Sequence, residues 1–471
     1  MKIVLLNLPF EKFGGVKGHG GKSMPTNLCL LSAYLKKYSS IKNEIILIDA
    51  EAEQLDFNEI VERIKEFGAE LIGITCPTPV YEICLELMKK IKTIIEKVII
   101  VLGGPHPTIF AEEVLKESDA DICVIGEGEE TFLELVTVLN FKGDLTKVKG
   151  IVFKKEGNII RTEKRKLIEN LDKIPFPDRD IIKLNLYYPP PTKRVSNYNA
   201  TSLVTSRGCV FHCTYCIATK IWEHKVRFRS VENVISEIEM CVNKYGIAEF
   251  NIHDEWFTIN KNRTIELCKK IIEKKLKIAW ICMGRVHPLD EELLSWMKKA
   301  GCKKINFGFE SGDQKILDNI KHQTTLEQGL RAAKLCHKVG IKIGANFMIG
   351  AIGETLETIK NTIKYAKKIK PDTVAFFAAT PYPGTEFYEE AKRLKYLRED
   401  IKWQDFTLVS NSLPVVNLPD LSAKEIKEQI KKAYKKFYLR PNYITNKILK
   451  IRSFIELKNL IEGIKIFFRV K

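Results

Sequence analysis

The chain has 471 residues, 45% of them hydrophobic and 29% charged, with a formal net charge of +17. That balance describes a globular protein of two or three domains and excludes a disordered one. Its longest apolar runs, such as 98–102, fall far below the ~20 residues of a membrane-spanning helix. The positive charge favours an anionic partner without choosing among nucleic acid, acidic lipid and a phosphorylated substrate.

The opening Met1-Lys2-Ile3-Val4-Leu5-Leu6-Asn7 is shorter than a signal-peptide core of ~7–15 residues and lacks a small-residue cleavage site. It predicts a buried first strand and a cytoplasmic location. Apolar runs at 2–6, 44–48, 71–75, 98–102 and 122–125 alternate with helical patterns at 58–67, 80–95 and 111–116. This alternation predicts an α/β fold over 1–140, a doubly wound, Rossmann-like parallel sheet, with its ligand beyond the carboxyl ends of the strands. Residues 141–195 read as a linker, with a hairpin turning at Glu156-Gly157-Asn158 and prolines at 175, 177 and 189–191.

A second alternating series fills 196–395. Strands are expected at 202–205, 250–253, 279–283, 305–309, 342–348 and 373–378, with helices between them. Six strand–helix units predict a partial (β/α)6 barrel of the TIM type, its site at the carboxyl-terminal rim. Residues 396–471 read as a helical, basic region, with fourteen Lys and Arg against four Asp and Glu from Leu421 onward. Phe454, Leu457, Ile461, Ile464 and Phe468 share one helical face, which suits packing on its own domain or contact with a lipid surface.

Nine of the twelve cysteines are scattered singly, as inert core residues usually are. The other three form Cys209-Val210-Phe211-His212-Cys213-Thr214-Tyr215-Cys216, directly after the first barrel strand. Soft thiolates in one loop select zinc or an iron–sulfur cluster. A structural zinc site takes four ligands, and only His212 or His224 is close enough in sequence to be the fourth. A cubane on three cysteines keeps one iron open.

In this position C-x3-C-x2-C, with Tyr215 before the last cysteine, resembles the radical S-adenosylmethionine superfamily. The likeness continues at later strand ends, in His253-Asp254-Glu255, Arg285, Glu310-Ser311-Gly312 and Met348-Ile349-Gly350-Ala351-Ile352-Gly353-Glu354. It implies a 4Fe-4S cluster on Cys209, Cys213 and Cys216. It also implies S-adenosylmethionine held by Tyr215, Asp254, Glu255, Arg285, Glu310, Ser311 and Gly350. The first section resembles the cobalamin-binding domain of one branch of that superfamily, through Leu71-Ile72-Gly73-Ile74-Thr75, Leu102-Gly103-Gly104-Pro105 and Ile125-Gly126-Glu127-Gly128. Cobalamin is then expected against Thr75, Gly103, Gly104, Gly126 and Glu127. Many such domains carry D-x-H-x-x-G, whereas Asp49-Ala50-Glu51 puts Glu51 in the histidine's place and implies a lower cobalt face without histidine. His106 matches no ligand position and is expected to be loop structure. Ile174-Pro175-Phe176-Pro177-Asp178 and Phe437-Tyr438-Leu439-Arg440-Pro441 resemble members related to anaerobic magnesium-protoporphyrin monomethyl ester cyclase and hopanoid-associated radical enzymes.

The resemblance implies methylation of an unactivated carbon of a small-molecule or lipid-like substrate, through a 5′-deoxyadenosyl radical. A one-electron donor such as ferredoxin or flavodoxin is implied as a partner. Radical cyclisation, oxidation or carbon–carbon coupling without methyl transfer stays open, as does a zinc-holding interaction protein. Relatives that methylthiolate tRNA carry extra clustered cysteines and a β-rich tail, which this chain lacks, so nucleic acid is not the expected partner. The basic tail leaves open a peripheral contact at the inner membrane face. No catalytic acid or base is singled out.

Overall fold

A computed structural model of the chain describes residues 1–9, 21–407, 412–449, 451 and 454–469, which divide into two units. In the first unit the strands are β1 (Lys2–Asn7), β2 (Glu44–Asp49), β3 (Leu71–Thr75), β4 (Ile99–Gly103), β5 (Ile122–Val124), β6 (Ile151–Lys155) and β7 (Asn158–Arg161). They form one sheet in the order β2-β1-β3-β4-β5-β6-β7, parallel through β5. Ile3, Val4, Leu5 and Leu6 are all 0% exposed because helices cover both faces, which is why parallel strands read as unbroken apolar runs. Ile60, Leu87 and Leu102 belong to the core on one face; Leu28, Phe132 and Leu135 belong to that on the other.

The hairpin expected in a linker is part of this sheet. Ile151, Val152 and Phe153 of β6 are buried and pair antiparallel with β5. Its turn is the two residues Glu156 and Gly157, with φ of 50° and 81°, as a twisted two-residue hairpin requires. The first unit accordingly runs to Tyr187 and also takes in Lys402–Gln404.

In the second unit β8 (Asn199–Leu203), β11 (Ile247–Ile252), β12 (Ala279–Gly284), β13 (Cys302–Glu310), β14 (Lys342–Ile349) and β15 (Thr373–Ala378) form a curled parallel half barrel. Between β8 and β11 lies a two-stranded ribbon, β9 (Ser206–Arg207) against β10 (Arg227–Phe228). Such short strands leave no periodic signal in a sequence. Ser230, Asn260, Asp290, Thr325 and Thr355 each accept a hydrogen bond from the backbone three residues on, so each of these barrel helices starts at a polar cap.

The helix Ala423–Tyr438 covers the open edge of the sheet. Its Tyr434 hydroxyl accepts from the Phe376 amide, and its Tyr438 hydroxyl bonds both backbone groups of Val374. Those groups of the edge strand would otherwise invite pairing with another chain. The last helix, Phe454–Arg469, turns polar residues toward the barrel: Glu456 meets Lys342 at 2.8 Å and Glu462 meets Arg194 at 3.2 Å. Leu457 and Ile461 stay exposed. Of the expected apolar face, the side chains of Phe454, Ile464 and Phe468 lie outside the described residues. Among the described residues, no helix is long and apolar enough to cross a membrane.

Candidate active site

The cysteine loop leaves the carboxyl end of β8 and returns through β10. Gly208 opens it with φ +106°, and a Cβ there would lie 1.8 Å from the Lys225 carbonyl oxygen, so no other residue fits. The Cys216 amide donates to the Cys213 carbonyl at 3.1 Å, and Thr214 is tied by backbone bonds to Ile320 and Phe387. Cys213 is buried, while Cys209 and Cys216 are half-buried. Among the described residues, no three His, Cys, Asp or Glu converge on a single ion. A cubane distributes its irons over a larger volume, so its ligands stand further apart. His212 and His224 stack on each other at 3.8 Å, and His224 Nδ1 lies 3.2 Å from the Phe211 carbonyl.

Burial pushes the Cys216 thiol up to about 11 and raises Cys213. Thiolates in such a cup need cationic compensation, as cluster irons provide. The protein supplies one such charge, because Arg285 Nη1 lies 3.8 Å from Cys213 Sγ and opposes its shift. Arg285 follows β12, its guanidinium 3.6 Å above the Phe211 ring, and donates to the His322 carbonyl. Glu310 ends β13 with φ +59°; burial raises it to about 7, against the Tyr215 hydroxyl and the Arg285 charge. Glu354, after β14, accepts from the amides of Gly350 and Ala351, and burial likewise raises it to about 7. Arg285 Nε, Glu310 Oε2 and Glu354 Oε1 are buried without a partner. Native proteins leave few such atoms. Orphaned charged atoms of both signs, at the ends of three consecutive strands, fit a zwitterionic amino acid such as the methionyl part of S-adenosylmethionine.

Other expected ligands are engaged by the protein. Asp254, 1% exposed, accepts from the Thr205 amide, the Thr205 hydroxyl and the Ser206 hydroxyl, each at 2.6 Å. It clamps the root of the cysteine loop instead of facing a ligand. Ser311 bonds Thr362 Oγ1 at 3.2 Å. Glu255 accepts from the Gly208 amide at 3.0 Å and so supports the loop from its exposed side. Tyr215 packs beside the cluster of Met348, Ala351 and Phe387, and Gly350, φ +101°, turns the chain there. Glu354 was legible only as part of its glycine motif, and its clamp on Gly350 was not expected.

In the first unit Asn7, Thr75 and Gly103 stand side by side at the carboxyl edge of β1, β3 and β4. The strand order reverses direction between β1 and β3, where doubly wound sheets open a ligand crevice. Asn27 Nδ2 donates to Thr75 Oγ1 at 2.8 Å. A Cβ on Gly103 or on Gly126 would meet nothing within 4 Å, so these glycines leave open ground for a bulky ligand. At Gly104, φ +105°, an added Cβ would lie 3.3 Å from the Cys76 backbone, so the chain is close-packed there. Glu127 accepts from the Ile168 amide at 2.8 Å and holds the chain there. Glu51 lies in the short helix Ala50–Glu53, capped by Asp49. His106 is 1% exposed, its ring 4.0 Å from that of Tyr81 and 4.9 Å from that of Trp403. The expectation of loop structure is not met: His106 lies in the first turn of the helix Pro105–Glu117, sealed in that aromatic box as core packing.

Comparison with known proteins matches residues 203–366 to the Radical SAM superfamily and residues 19–136 to the B12 binding domain. An uncharacterized methyltransferase of Pyrococcus horikoshii is 34% identical over 98% of both chains. The anaerobic magnesium-protoporphyrin IX monomethyl ester cyclase of Rubrivivax gelatinosus is 30% identical over 90% of this chain and 75% of its own. Among solved structures, the cobalamin-dependent S-adenosylmethionine radical enzyme OxsB, with aqua-cobalamin and S-adenosylmethionine bound, has a TM-score of 0.77 at 19% identity, covering 98% of this chain and 70% of its own. That likeness is one of fold.

Proposed function

We propose, from the premise that this chain belongs to the cobalamin-binding radical S-adenosylmethionine enzymes, that it methylates an unactivated carbon of an organic substrate. When bound, the cluster with S-adenosylmethionine supplies a 5′-deoxyadenosyl radical, and cobalamin carries the methyl group. Cys209, Cys213 and Cys216 would hold the cluster. Arg285 and Glu310 would orient the amino-acid end of S-adenosylmethionine, and Asp254 and Glu354 would keep two loops of that rim in shape. Thr75, Gly103 and Gly126 would border the cobalamin. The observation that carries this reading is the group of orphaned charged atoms at the ends of β12, β13 and β14, on the rim where the three thiols stand.

Anaerobic reconstitution with iron, sulfide and hydroxocobalamin, followed by mass spectrometry, tests it. A methylase makes S-adenosylhomocysteine and 5′-deoxyadenosine together. The cyclase relative supports a second reading, radical oxidation or cyclisation, in which 5′-deoxyadenosine forms alone. The reductant would be a ferredoxin- or flavodoxin-like donor. Exposed Leu457 and Ile461 on a basic tail support peripheral contact with an anionic membrane; liposome flotation unchanged by removal of 454–471 would refute that contact.

A further inference from the structure

The concave face of the half barrel carries a polar row, whereas its convex face is apolar. Asn251 of β11, Asn306 of β13 and Asn346 of β14 alternate with the buried, outward Phe250, Phe307 and Phe347. His253 continues the concave face two residues beyond Asn251. A Cβ at Gly344 would lie 2.1 Å from Asn306 Oδ1, so this glycine lets the carboxamide rest flat across β14. Asn251 Oδ1 is buried without a partner. Among the described residues, the side chains of Asn306, Asn346 and His253 make no hydrogen bond.

The floor of this face is chain that enters from the proline-rich connection. Glu249, 0% exposed, accepts from the Val195 and Ser196 amides at 3.1 and 2.8 Å. Lys304 Nζ, on the concave side of β13, donates to the Thr192 carbonyl at 2.8 Å. Lys193 follows Thr192, and these two clasps carry it onto the same face. Burial lowers the pKa of His253 of β11 and of Lys304 of β13, and the Lys193 charge adds to both shifts. Its own ammonium has no hydrogen-bond or ion-pair partner among the described residues. Burial holds it below the usual lysine range, and no carboxylate opposes that shift. A half-buried, unpaired ammonium near a second lysine and an imidazole is costly, and an anion is the ligand that offsets the cost.

We propose that Lys193 receives an anionic group, carboxylate or phosphoryl, of a polar substrate bound on the concave face of the half barrel. Asn306 and Asn346 bond the uncharged polar atoms of that substrate. An alkyl chain lying along this row would leave three carboxamides without partners, so the part of the substrate that lies here is polar. The assignment rests on the methylation reading only for what becomes of the substrate, not for its binding.

Amine acylation of the full-length protein, read peptide by peptide by mass spectrometry, tests the site with inorganic phosphate and acetate as probes. Lys193 is expected to acylate and to be protected by at least one probe; phosphate alone marks a phosphoryl group, acetate alone a carboxylate. In titrations followed by NMR, K193Q is expected to weaken the protecting anion roughly ten- to hundredfold while K193R retains it. Protection by neither probe, or anion affinity in K193Q and K193R equal to that of the parent, overturns the proposal. Neither measurement needs cluster or cobalamin. Failure here therefore leaves the radical reading standing, and absence of S-adenosylmethionine cleavage leaves this site standing.

Discussion

Both parallel sheets offer a ligand the carboxyl ends of their strands, but by opposite means. The rim of the second sheet is made of what side chains present: thiols, the Arg285 guanidinium, and the Glu310 and Glu354 carboxylates. The edge of the first is made of what side chains leave out, since Gly103 and Gly126 face open space. A site made of reactive groups fails when one is removed. A site made of space fails when something is added.

The first prediction presses hardest on the presenting side. Replacing Cys209, Cys213 and Cys216 with Ala together is expected to reduce iron per chain and 5′-deoxyadenosine formation to background after reconstitution. A triple variant that still cleaved S-adenosylmethionine would remove the cluster from this loop. Next in size, Gly208→Ala puts a Cβ against an immovable carbonyl in a left-handed conformation. The conformation alone costs about 1–3 kcal/mol, and the clash adds to it. Iron retention should fall while cobalamin binding by the first unit is unchanged; loss of both would mean that the two sites are not independent.

The aromatic box of the first unit predicts a pH dependence of that unit's stability. Burial lowers His106 from its ordinary 6.5 to about 4. The folded state therefore binds fewer protons than the unfolded state between those values, so stability is complete above pH 6.5 and is lost as pH falls toward 4. A displacement of that size corresponds to about 3 kcal/mol at the acid end. Denaturant midpoints of the first unit measured from pH 7 to 4 should show this slope, and His106→Phe, which keeps a ring in the box, should flatten it.

How much could be read from the chain follows the same division. Strand–helix alternation was legible because buried parallel strands are unbroken apolar runs, as in Ile3-Val4-Leu5-Leu6. The cysteine loop was legible because its chemistry is named by residue type. The place of the hairpin was not, because pairing β6 with β5 is a choice made in three dimensions. Asp254 illustrates the subtler limit: a sequence names a carboxylate but not its direction, and this one points back at Thr205 and Ser206. The concave face was written in the two-residue alternation of Ile305-Asn306-Phe307, yet a mid-strand asparagine becomes informative only when neighbouring strands bring Asn251 and Asn346 to the same side.

The smallest expected effect is the most diagnostic for the first sheet. Gly103 has no left-handed φ and a Cβ there touches nothing, so Ala or Val should be accommodated with about 0.5 kcal/mol or less of lost stability. A ligand that lies along this edge would meet the added methyl groups directly. Hydroxocobalamin affinity, followed by absorbance, should fall in the order Gly, Ala, Val, reaching about tenfold for Val, or some 1.4 kcal/mol. The order matters more than the size, because a packing defect would lower the melting temperature in step with affinity, whereas filled space lowers affinity alone. If Gly103→Val bound cobalamin as tightly as the parent, the open ground beside Thr75 would belong to some other ligand, and the contrast between the two sheets would have to be redrawn around Gly126.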